Sequence, residues 1–279
     1  MIIRCYGARG SIPVSGPEYL RYGGDTACLE IRSRDDDIII VDAGSGIRRL
    51  GNRLLRENRF DYTLFLTHSH WDHILGFPFF KPIYDPRTSI AIRGCTEAQG
   101  DLRKLLARAM SGPYFPVNFD SLAATITYED DCVLSYQVGP IEVWPIHLSH
   151  PNGGQGYKLV EDGKTFVFLT DNELGYRHRG GLNVEAYVEF ADGADLLIHD
   201  AEYTPEEYRR TRTWGHSTYV DALQVAMQAR VRCFGLFHHN QDRDDAGVAQ
   251  ILAHCQEIVA QRGAALDLLA MSQGTEIVL

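Results

Sequence analysis

The 279-residue sequence contains no apolar run that approaches the roughly 20 residues needed to cross a bilayer as a helix. It also lacks a basic segment followed by an apolar one at its start, where the run Met1–Tyr6 instead predicts a β-strand. Neither a transmembrane helix nor a secretory leader is expected. The sequence therefore predicts a cytoplasmic protein that has no membrane partner.

Cysteine is sparse and scattered. The six cysteines form no C-x-x-C pair and no dense framework, and they are Cys5, Cys28, Cys95, Cys132, Cys233 and Cys255. Several of them stand in apolar runs, as Cys233 does before Phe234. Free cysteine is among the most buried residue types, and disulfides are rare in reducing compartments. The spacing therefore predicts buried free thiols rather than disulfides.

Basic residues are outnumbered, with 27 Lys and Arg against 37 Asp and Glu, which gives a formal net charge of -10. A general affinity for nucleic acid or for an anionic membrane requires basic surface. Stable nucleic-acid binding is therefore not expected. Bound divalent cations would add positive charge where a substrate binds, so the acidic balance does not argue against a small anionic substrate.

Short β-branched or aromatic runs recur along the chain, and each ends in a turn or a polar residue. These predicted strands are Ala27–Ile31, Ile38–Val41, Tyr62–Leu66, Ile90–Ile92, Ile141–Ile146, Tyr157–Val160, Phe166–Leu169, Leu196–Ile198, Phe234–Phe237 and Glu276–Leu279. Helical spacing appears between them, in Leu102–Ala109, Thr218–Ala229 and Val248–Cys255. Apolar strands interleaved with helices indicate sheets that are covered by helices.

Nothing in the middle of the chain has the composition of a linker. The run Gly112–Pro116 predicts a loop, but linkers are usually polar and this one is aromatic. We expect Tyr114 and Phe115 to fill core, with stacking on a nucleobase as the alternative. The strands Ile38–Val41 and Phe166–Leu169 both run into an aspartate, at Asp42 and Asp171, which is a weak internal repeat.

The strongest chemical signal is the run His68-Ser69-His70-Trp71-Asp72-His73, directly after a predicted strand. Alternate side chains of an extended segment lie on the same side, so His68 and His70 can converge on one ion. Asp72 and His73 come at the start of a predicted helix and point to a neighbouring position. Zinc takes nitrogen and oxygen ligands of this kind at roughly 2.0–2.2 Å. The run therefore predicts the beginning of two metal sites.

Six residues cannot complete two sites, so further ligands are expected downstream. Most candidates follow an apolar strand, where side chains from several strands can gather along one edge. They are His147, His150, Asp171, His199, Asp200, His216, His238 and His239. Asp171 is best placed to bridge two ions, because a carboxylate can give one oxygen to each.

In this order the motifs resemble those of the metallo-β-lactamase superfamily, whose first signature is His-x-His-x-Asp-His, and within it the RNase Z-like phosphodiesterase branch. That branch also carries an aspartate after an early strand, as in Asp42-Ala43-Gly44-Ser45-Gly46. It has a later lone histidine, here His150, and a Thr-Asp pair after a strand, here Thr170-Asp171. A His-Ser-Thr run that opens a helix matches His216-Ser217-Thr218, and a strand-terminal histidine matches His238.

The resemblance implies an α/β fold, a four-layer αββα sandwich, in one domain over residues 1–279 with two pseudo-related halves of roughly 1–136 and 137–279. It implies two divalent metal ions, zinc before manganese or iron. Their ligands would be His68, His70 and His150 for one ion and Asp72, His73 and His238 for the other, with Asp171 shared. His147 and His239 stay as alternatives, because each stands close in sequence to a proposed ligand.

The resemblance also suggests which residues act on the substrate and which support the ligands. Asp72 and His216 are assigned to catalysis. Asp42, His199 and Asp200 are assigned to supporting positions around metal-bound side chains. For His199 and Asp200, a plain polar strand end is the alternative. Two glycine-containing loops, Ser11–Pro17 and Tyr22–Thr26, are either one wall of the cleft or ordinary turns.

Two ions roughly 3.5–4 Å apart can hold a bridging hydroxide and neutralise charge on phosphoryl oxygens. A histidinium at 216 can bond a phosphate oxygen or protonate the leaving group. These features predict a hydrolase for a small or cyclic phosphodiester, such as a cyclic nucleotide or a cyclic sugar phosphate. Ser217 and Thr218 are expected to cap the helix that follows.

Two other activities of the same fold are alternatives. tRNA 3′ processing is disfavoured, because only twenty residues separate His150 from Asp171 and no protruding arm fits there. Thioester or lactone hydrolysis would leave His216 without an obvious role. A di-iron oxidoreductase is less favoured, because it would be expected to replace the second histidine of the signature with glutamate and to add a flavin domain. A silent scaffold is less favoured still, since every ligand position is filled. The sequence leaves open the substrate, the metal and whether the chain forms a homodimer.

Overall fold

The computed structural model describes residues 1–95, 100–129 and 132–279. Within these ranges the strands are β1 Ile2–Gly7, β2 Cys28–Arg32, β3 Ile38–Val41, β4 Asp61–Phe65, β5 Ser89–Arg93, β6 Thr125–Glu129, β7 Tyr136–Val138, β8 Ile141–His147, β9 Gln155–Glu161, β10 Lys164–Leu169, β11 Leu196–Asp200, β12 Cys233–Phe237, β13 Asp267–Ala270 and β14 Glu276–Val278. The α-helices are α1 Ile47–Arg56, α2 Trp71–Ile74, α3 Leu102–Ala109, α4 Val184–Phe190, α5 Pro205–Thr211, α6 Tyr219–Gln228 and α7 Asp245–Arg262. Short 3₁₀ helices lie at Pro17–Tyr19, Phe77–Phe79, Lys81–Tyr84 and Phe119–Ser121.

The strands form two seven-stranded sheets. The first has the order β14-β1-β2-β3-β4-β5-β6, and the second has the order β13-β12-β11-β10-β9-β8-β7. In the first sheet β3 to β6 are parallel neighbours. In the second sheet β10 to β13 are parallel neighbours. The carboxyl ends of parallel strands meet at one edge, which is where the predicted ligands stand.

The two faces of β10 show how one strand serves two layers. Phe166 and Phe168 pack into the core between the two sheets, together with Phe65. Val167 and Leu169 point the other way, into the core that helices α4, α6 and α7 cover. This alternation follows from the period of two along a strand. A third core lies under α1 and α3 on the outer face of the first sheet. The predicted four-layer αββα arrangement is confirmed.

The hairpin between β9 and β10 is as short as the sequence predicts. Glu161 pairs with Lys164, so only two residues make the turn. Both have positive φ, 51° at Asp162 and 75° at Gly163. Such turns match the right-handed twist of the flanking strands and favour Asp-Gly.

The predicted strands are all present, with bounds displaced by one or two residues. Several elements were missed, namely β6, β7, β13, α1, α4 and α5. The predicted halves would divide the chain at β7, but β14 returns to the first sheet. The division into one domain with two related halves stays a prediction.

The prediction of free thiols throughout was wrong. Cys95 and Cys132 form a disulfide, with their Cα atoms 4.6 Å apart. The two residues are 37 positions apart in sequence, so their spacing carried no signal of the pair. Cys5, Cys28 and Cys255 are buried free thiols as predicted, and Cys233 is a partly buried one.

The expectation for Tyr114 was also wrong, since its side chain is 86 % exposed. Phe115 does pack, against the core of the first sheet and edge-on to Phe79. The Gly112–Pro116 run forms a loop, as predicted. In the part of the chain that the structure describes, no helix is both long and apolar enough to cross a membrane.

Candidate metal centre

The motif that begins at His68 follows β4 and leads into α2. His68 is buried and His70 is partly buried in the extended segment between the two elements. Asp72 and His73 lie within the single turn of α2 and are both buried. The local structure thus separates the motif into two pairs of side chains, as the spacing predicts.

Three further side chains come from strand ends of the second sheet. His150 follows β8, Asp171 follows β10 and His238 follows β12. Asp171 and His238 adopt left-handed backbone conformations, with φ of 57° at both. Residues other than glycine seldom hold such φ values unless the surroundings enforce them, and they concentrate at functional sites. Asp42, after β3 in the first sheet, shows the same feature with φ of 64°.

The structure brings the predicted ligands together in two groups that share one residue. One group is His68, His70, His150 and Asp171, and the other is Asp72, His73, Asp171 and His238. Within each group the potential ligand atoms all lie within 4.8 Å of one another.

Asp171 occupies the position between the groups. Its Oδ2 lies 3.5 Å from His68 Nε2 and 3.4 Å from His238 Nε2. Its Oδ1 lies 3.3 Å from His73 Nε2. One carboxylate therefore faces imidazoles of both groups, which is the geometry expected of a shared ligand.

The two alternative histidines lie elsewhere. His147, the last residue of β8, is exposed. His239 turns away from the groups, and its Nε2 lies 2.8 Å from the carbonyl oxygen of Met271, to which it donates. Neither residue belongs to the two groups of ligating atoms.

Asp42 holds His73 in place from the first sheet. Its Oδ2 lies 2.7 Å from Nδ1 of His73. Its Oδ1 accepts the backbone N–H of Thr67 at 2.7 Å. Since Nδ1 of His73 is bound to this carboxylate, Nε2 is left to face the ligating group. Such a carboxylate–histidine pair fixes both the ring orientation and the tautomer.

His199 and Asp200 occupy the end of β11, and their contacts differ. His199 Nε2 lies 3.2 Å from the side-chain nitrogen of Asn172, and His199 Nδ1 donates a hydrogen bond to the backbone carbonyl of Asp200. Asp200 accepts the backbone N–H groups of Asn172 and Ser217, both at 2.8 Å. Asp200 therefore fixes the backbone beside Asp171 and beside His216, whereas the contacts of His199 do not include a proposed ligand.

Glu202 is a site residue that the sequence analysis missed. It is 1 % exposed, and its Oε2 lies 2.9 Å from His238 Nδ1 and 3.5 Å from His216 Nδ1. Its other oxygen accepts the side-chain amide of Asn240 at 2.8 Å. The available signal was alternation, since Asp200 and Glu202 are two positions apart in an extended segment.

Two glycines allow the ligands to approach the backbone. A Cβ at Gly10 would lie 2.2 Å from His238 Nδ1, and a Cβ at Gly215 would lie 2.2 Å from His150 Nδ1. Both distances are far inside van der Waals contact. The loop that begins at Gly10 also reaches the second group, because the backbone N–H of Ser11 donates to Asp72 Oδ2 at 2.8 Å.

The charges of the site are balanced internally. Burial works to raise the pKa of Asp171, but His238, His73 and His68 hold that pKa well below its usual range. Burial lowers the pKa of His150 to about 3 and, with the neighbouring His73, lowers that of His68 well below its usual value. The first group thus presents neutral imidazoles, the form that binds metal.

The same residues fit a divalent metal ion. Among the described residues, the buried Nε2 atoms of His68 and His73 have no hydrogen-bond partner. Unsatisfied buried polar atoms are costly and require an explanation. Here both atoms point into groups of nitrogen and oxygen donors, the set that zinc and similar borderline cations prefer. A bound cation would satisfy both atoms.

His216 lies beside the ligands at the start of a helix. Its ring stacks on that of His238, with centroids 4.6 Å apart. Thr218 caps α6 by accepting the backbone N–H of Asp221, and Ser217 Oγ donates to the carbonyl of Asn172. Burial works to lower the pKa of His216, but Glu202, Asp200 and Asp171 raise it to about 9.

A cavity of about 720 Å³ opens onto this edge of the site. His70, His216 and Glu202 line its inner part, and Ser11 contributes from the first glycine-containing loop. Gly23 and Gly24 line a different cavity, which lies beside α1. The first of the two loops therefore contributes to the cleft through Ser11, whereas its residues Val14–Gly16 border the other cavity together with the second loop.

Comparison with known proteins agrees with this geometry. A family model described as the β-lactamase superfamily domain matches residues 38–239. A ribonuclease Z from Haloarcula marismortui is 27% identical over 250 residues, covering 74% of this chain and 78% of that protein. The metallo-β-lactamase fold protein YhfI from Bacillus subtilis superimposes with a TM-score of 0.72 at 15% identity, covering 99% of this chain and 98% of that one. A diphosphatase of the PhnP family superimposes with a TM-score of 0.66 at 17% identity, covering 100% and 97%.

Proposed function

Because this chain belongs to the β-lactamase superfamily and resembles its ribonuclease Z branch, we propose that it is a metal-dependent phosphodiesterase for a small or cyclic phosphodiester. One observation carries the proposal. Two groups of ligating atoms share Asp171, and His216 stands beside them at the inner end of an open cavity. A hydrolase of another ester could use the same two groups, but it would have no evident use for His216.

We assign His68, His70 and His150 to one divalent ion, Asp72, His73 and His238 to a second, and Asp171 to both. Zinc is the first candidate, with manganese or iron next, because the donors are imidazoles and carboxylates. Ions held there would lower the pKa of a bound water and neutralise charge developing on phosphoryl oxygens.

The chain itself orients the reacting groups. His216 turns Nδ1 toward Glu202 Oε2, 3.5 Å away, and toward Asp171 Oδ2, 3.7 Å away. Its Nε2 is then left to donate a hydrogen bond to a phosphoryl oxygen of a substrate in the cavity. Asp72 accepts the backbone N–H of Ser11, which lines the cavity, and we assign it a second role, as the group that would accept the proton released from an attacking water.

The cavity lining supports a small substrate. Glu206, Glu207, Asp242 and Arg210 line its outer part, where Glu206 is paired with Arg209 and Glu207 with Arg243. Arg210 is the single lysine or arginine among the described residues that line the cavity, so the lining offers a polyanion no cluster of positive charge. The tight hairpin between β9 and β10 supports the same choice, since it occupies the interval in which a tRNA-binding arm would be expected.

tRNA 3′ processing is the second candidate, and the relationship to ribonuclease Z favours it. It requires that the acidic outer cavity tolerate a tRNA end. Cleavage of a precursor tRNA is therefore included as a direct alternative in the assay.

The test is metal analysis of purified protein followed by a substrate panel. The panel contains bis(4-nitrophenyl) phosphate, 2′,3′-cyclic AMP, 3′,5′-cyclic AMP, a precursor tRNA, a thioester and a lactone. We expect turnover of one or more of the small phosphodiesters, and its loss in Asp171→Ala. Turnover of the thioester or lactone without any phosphodiester turnover would contradict the proposal, and turnover of the precursor tRNA alone would favour the second candidate.

A further inference from the structure

Trp214 stands on the loop between α5 and α6, two residues before His216. Its large apolar side chain is 62 % exposed. The backbone on both sides is in the left-handed region, with φ of 79° at Thr213 and 101° at Gly215. For a β-branched residue such as Thr213 this conformation is unfavourable, and it persists only where the surroundings enforce it.

One buried carboxylate enforces it. Glu173 is 1 % exposed, and its Oε1 accepts the backbone N–H of Thr213 at 2.7 Å. Its Oε2 accepts the backbone N–H of Gly215 at 2.8 Å. The same carboxylate also accepts hydrogen bonds from the Tyr208 hydroxyl at 2.6 Å and from His178 Nε2 at 2.7 Å. Two hydrogen bonds therefore fix the backbone on both sides of an indole that is left exposed, and two more hold the carboxylate that makes them.

The exposed indole faces the cavity of the metal centre. Trp214 and Tyr203 line the same cavity of about 720 Å³ as His70 and His216. This volume lies within the range of small-molecule sites. Apart from its histidines, the described lining has one basic residue, Arg210, and so offers little to additional phosphate groups. The part of a substrate beyond its phosphodiester is therefore expected to be uncharged. An exposed indole on a backbone that is fixed on both sides is suited to a flat ring.

We propose that Trp214 is a stacking platform for an aromatic ring carried by the substrate, so that the substrate class is phosphodiesters of nucleosides or of aryl alcohols. The inference rests on the proposed function, because the cavity is treated as the substrate site. Stacking of a base on an aromatic side chain contributes about 5- to 140-fold in affinity. Nucleobases and simple aryl groups share this chemistry.

Binding of reaction-product analogues tests the platform without requiring turnover. Metal-loaded protein is titrated calorimetrically with AMP and with ribose 5-phosphate, and separately with phenyl phosphate and methyl phosphate. We expect AMP to bind at least about tenfold more tightly than ribose 5-phosphate, and Trp214→Ala to remove that preference. Trp214→Phe should keep most of it. A gain for AMP alone assigns the platform to nucleobases, and a gain for phenyl phosphate as well assigns it to aromatic rings in general.

Tyr114→Ala is the matched control, since Tyr114 is also an exposed aromatic residue but does not line this cavity. It should leave the affinity for AMP unchanged. Equal binding of AMP and ribose 5-phosphate by the wild-type protein, no measurable binding of AMP, or an undiminished preference in Trp214→Ala would overturn the platform. All three outcomes are measured by binding, so they do not depend on whether the protein hydrolyses a phosphodiester. A protein that shows the preference but hydrolyses no phosphodiester contradicts the proposed function and leaves the platform in place.

Discussion

Oε2 of Glu202 lies 2.9 Å from Nδ1 of His238, and both side chains are 1 % exposed or less. The pair mirrors the contact of Asp42 with His73, whose atoms are 2.7 Å apart. In each case a buried carboxylate holds the ring nitrogen that faces away from the ligating group. One carboxylate comes from each sheet, and both histidines belong to the group that contains Asp72.

Glu202→Gln should weaken metal binding at this group. The amide keeps the size of the side chain but loses the charge that makes the His238 ring a stronger ligand. Loss of such a partner typically costs about 10- to 100-fold in metal affinity or activity. Competition of the metal-loaded protein against a chelator measures the change. Glu206→Gln is the control, because Glu206 lines the same cavity but pairs with Arg209 on the surface. Equal chelator sensitivity in the two variants would contradict the role of Glu202.

Much of the metal centre is predictable, because its residues stand either close together in sequence or directly after an apolar strand. The run from His68 to His73 needs only the geometry of a strand end followed by a helix. Asp171 and His238 could be chosen because each follows an apolar strand, and parallel strands gather their carboxyl ends at one edge. The hairpin at Asp162 was predictable for a similar reason, since Asp-Gly between two apolar runs specifies a tight turn.

What escaped prediction depends on contacts between residues far apart in sequence. Glu202 approaches His216 and His238 only after two loops fold over the sheet edge. Glu173 looks like any acidic residue until the loop at Thr213 closes on it. The pairing of Cys95 with Cys132 is of the same kind, because spacing alone does not bring two thiols together. Short helices such as α4 and α5, with seven residues each, are too short to show a period.

His216→Ala should lose activity without losing metal. Its ring stacks on that of His238, and it forms a third group of potential ligand atoms with Glu202 and His238, but it is absent from the two groups that share Asp171. Removal of one donor to a developing charge typically lowers kcat by about 10²- to 10³-fold. The kcat for the preferred phosphodiester and the metal content of the same preparation are measured together, with His216→Asn as a variant that preserves more of the volume. Full activity in both variants would refute the role.

Asp171→Ala should lose metal as well as activity. The carboxylate faces His68, His73 and His238 at 3.3 to 3.5 Å, so its removal affects both groups at once. We expect the metal content after dialysis to fall well below that of the wild-type protein, and the activity to fall with it. The His216→Ala variant, whose metal content should equal that of the wild-type protein, provides the comparison. Retention of the full metal content in Asp171→Ala would show that the carboxylate is not a shared ligand.

Metal removal should lower the stability of the fold. Without a cation, Asp171 and its partners leave buried polar atoms unsatisfied, as the Nε2 atoms of His68 and His73 show. A ligand present at 100 times its Kd stabilises the native state by about 2.7 kcal/mol per site. Urea unfolding with excess zinc and with a chelator should therefore differ by at least that amount. An unchanged midpoint, with metal loss verified by elemental analysis, would contradict binding to the native site.

Alanine substitutions at two glycines should have different effects, because one glycine lies against a proposed metal ligand and the other lies in a strained turn away from it. At Gly10 an added Cβ would lie 2.2 Å from His238 Nδ1, so Gly10→Ala must displace a ligand. At Gly163 an added Cβ meets nothing within 4 Å, but the residue has φ of 75° in the hairpin turn. Gly163→Ala should therefore lower the free energy of unfolding by about 1–2 kcal/mol while activity stays unchanged.

Gly10→Ala should lose metal and activity together, measured by elemental analysis and by kcat, even where circular dichroism shows a native fold. If Gly10→Ala kept both while remaining folded, the close approach of this loop to His238 would not be needed for the site.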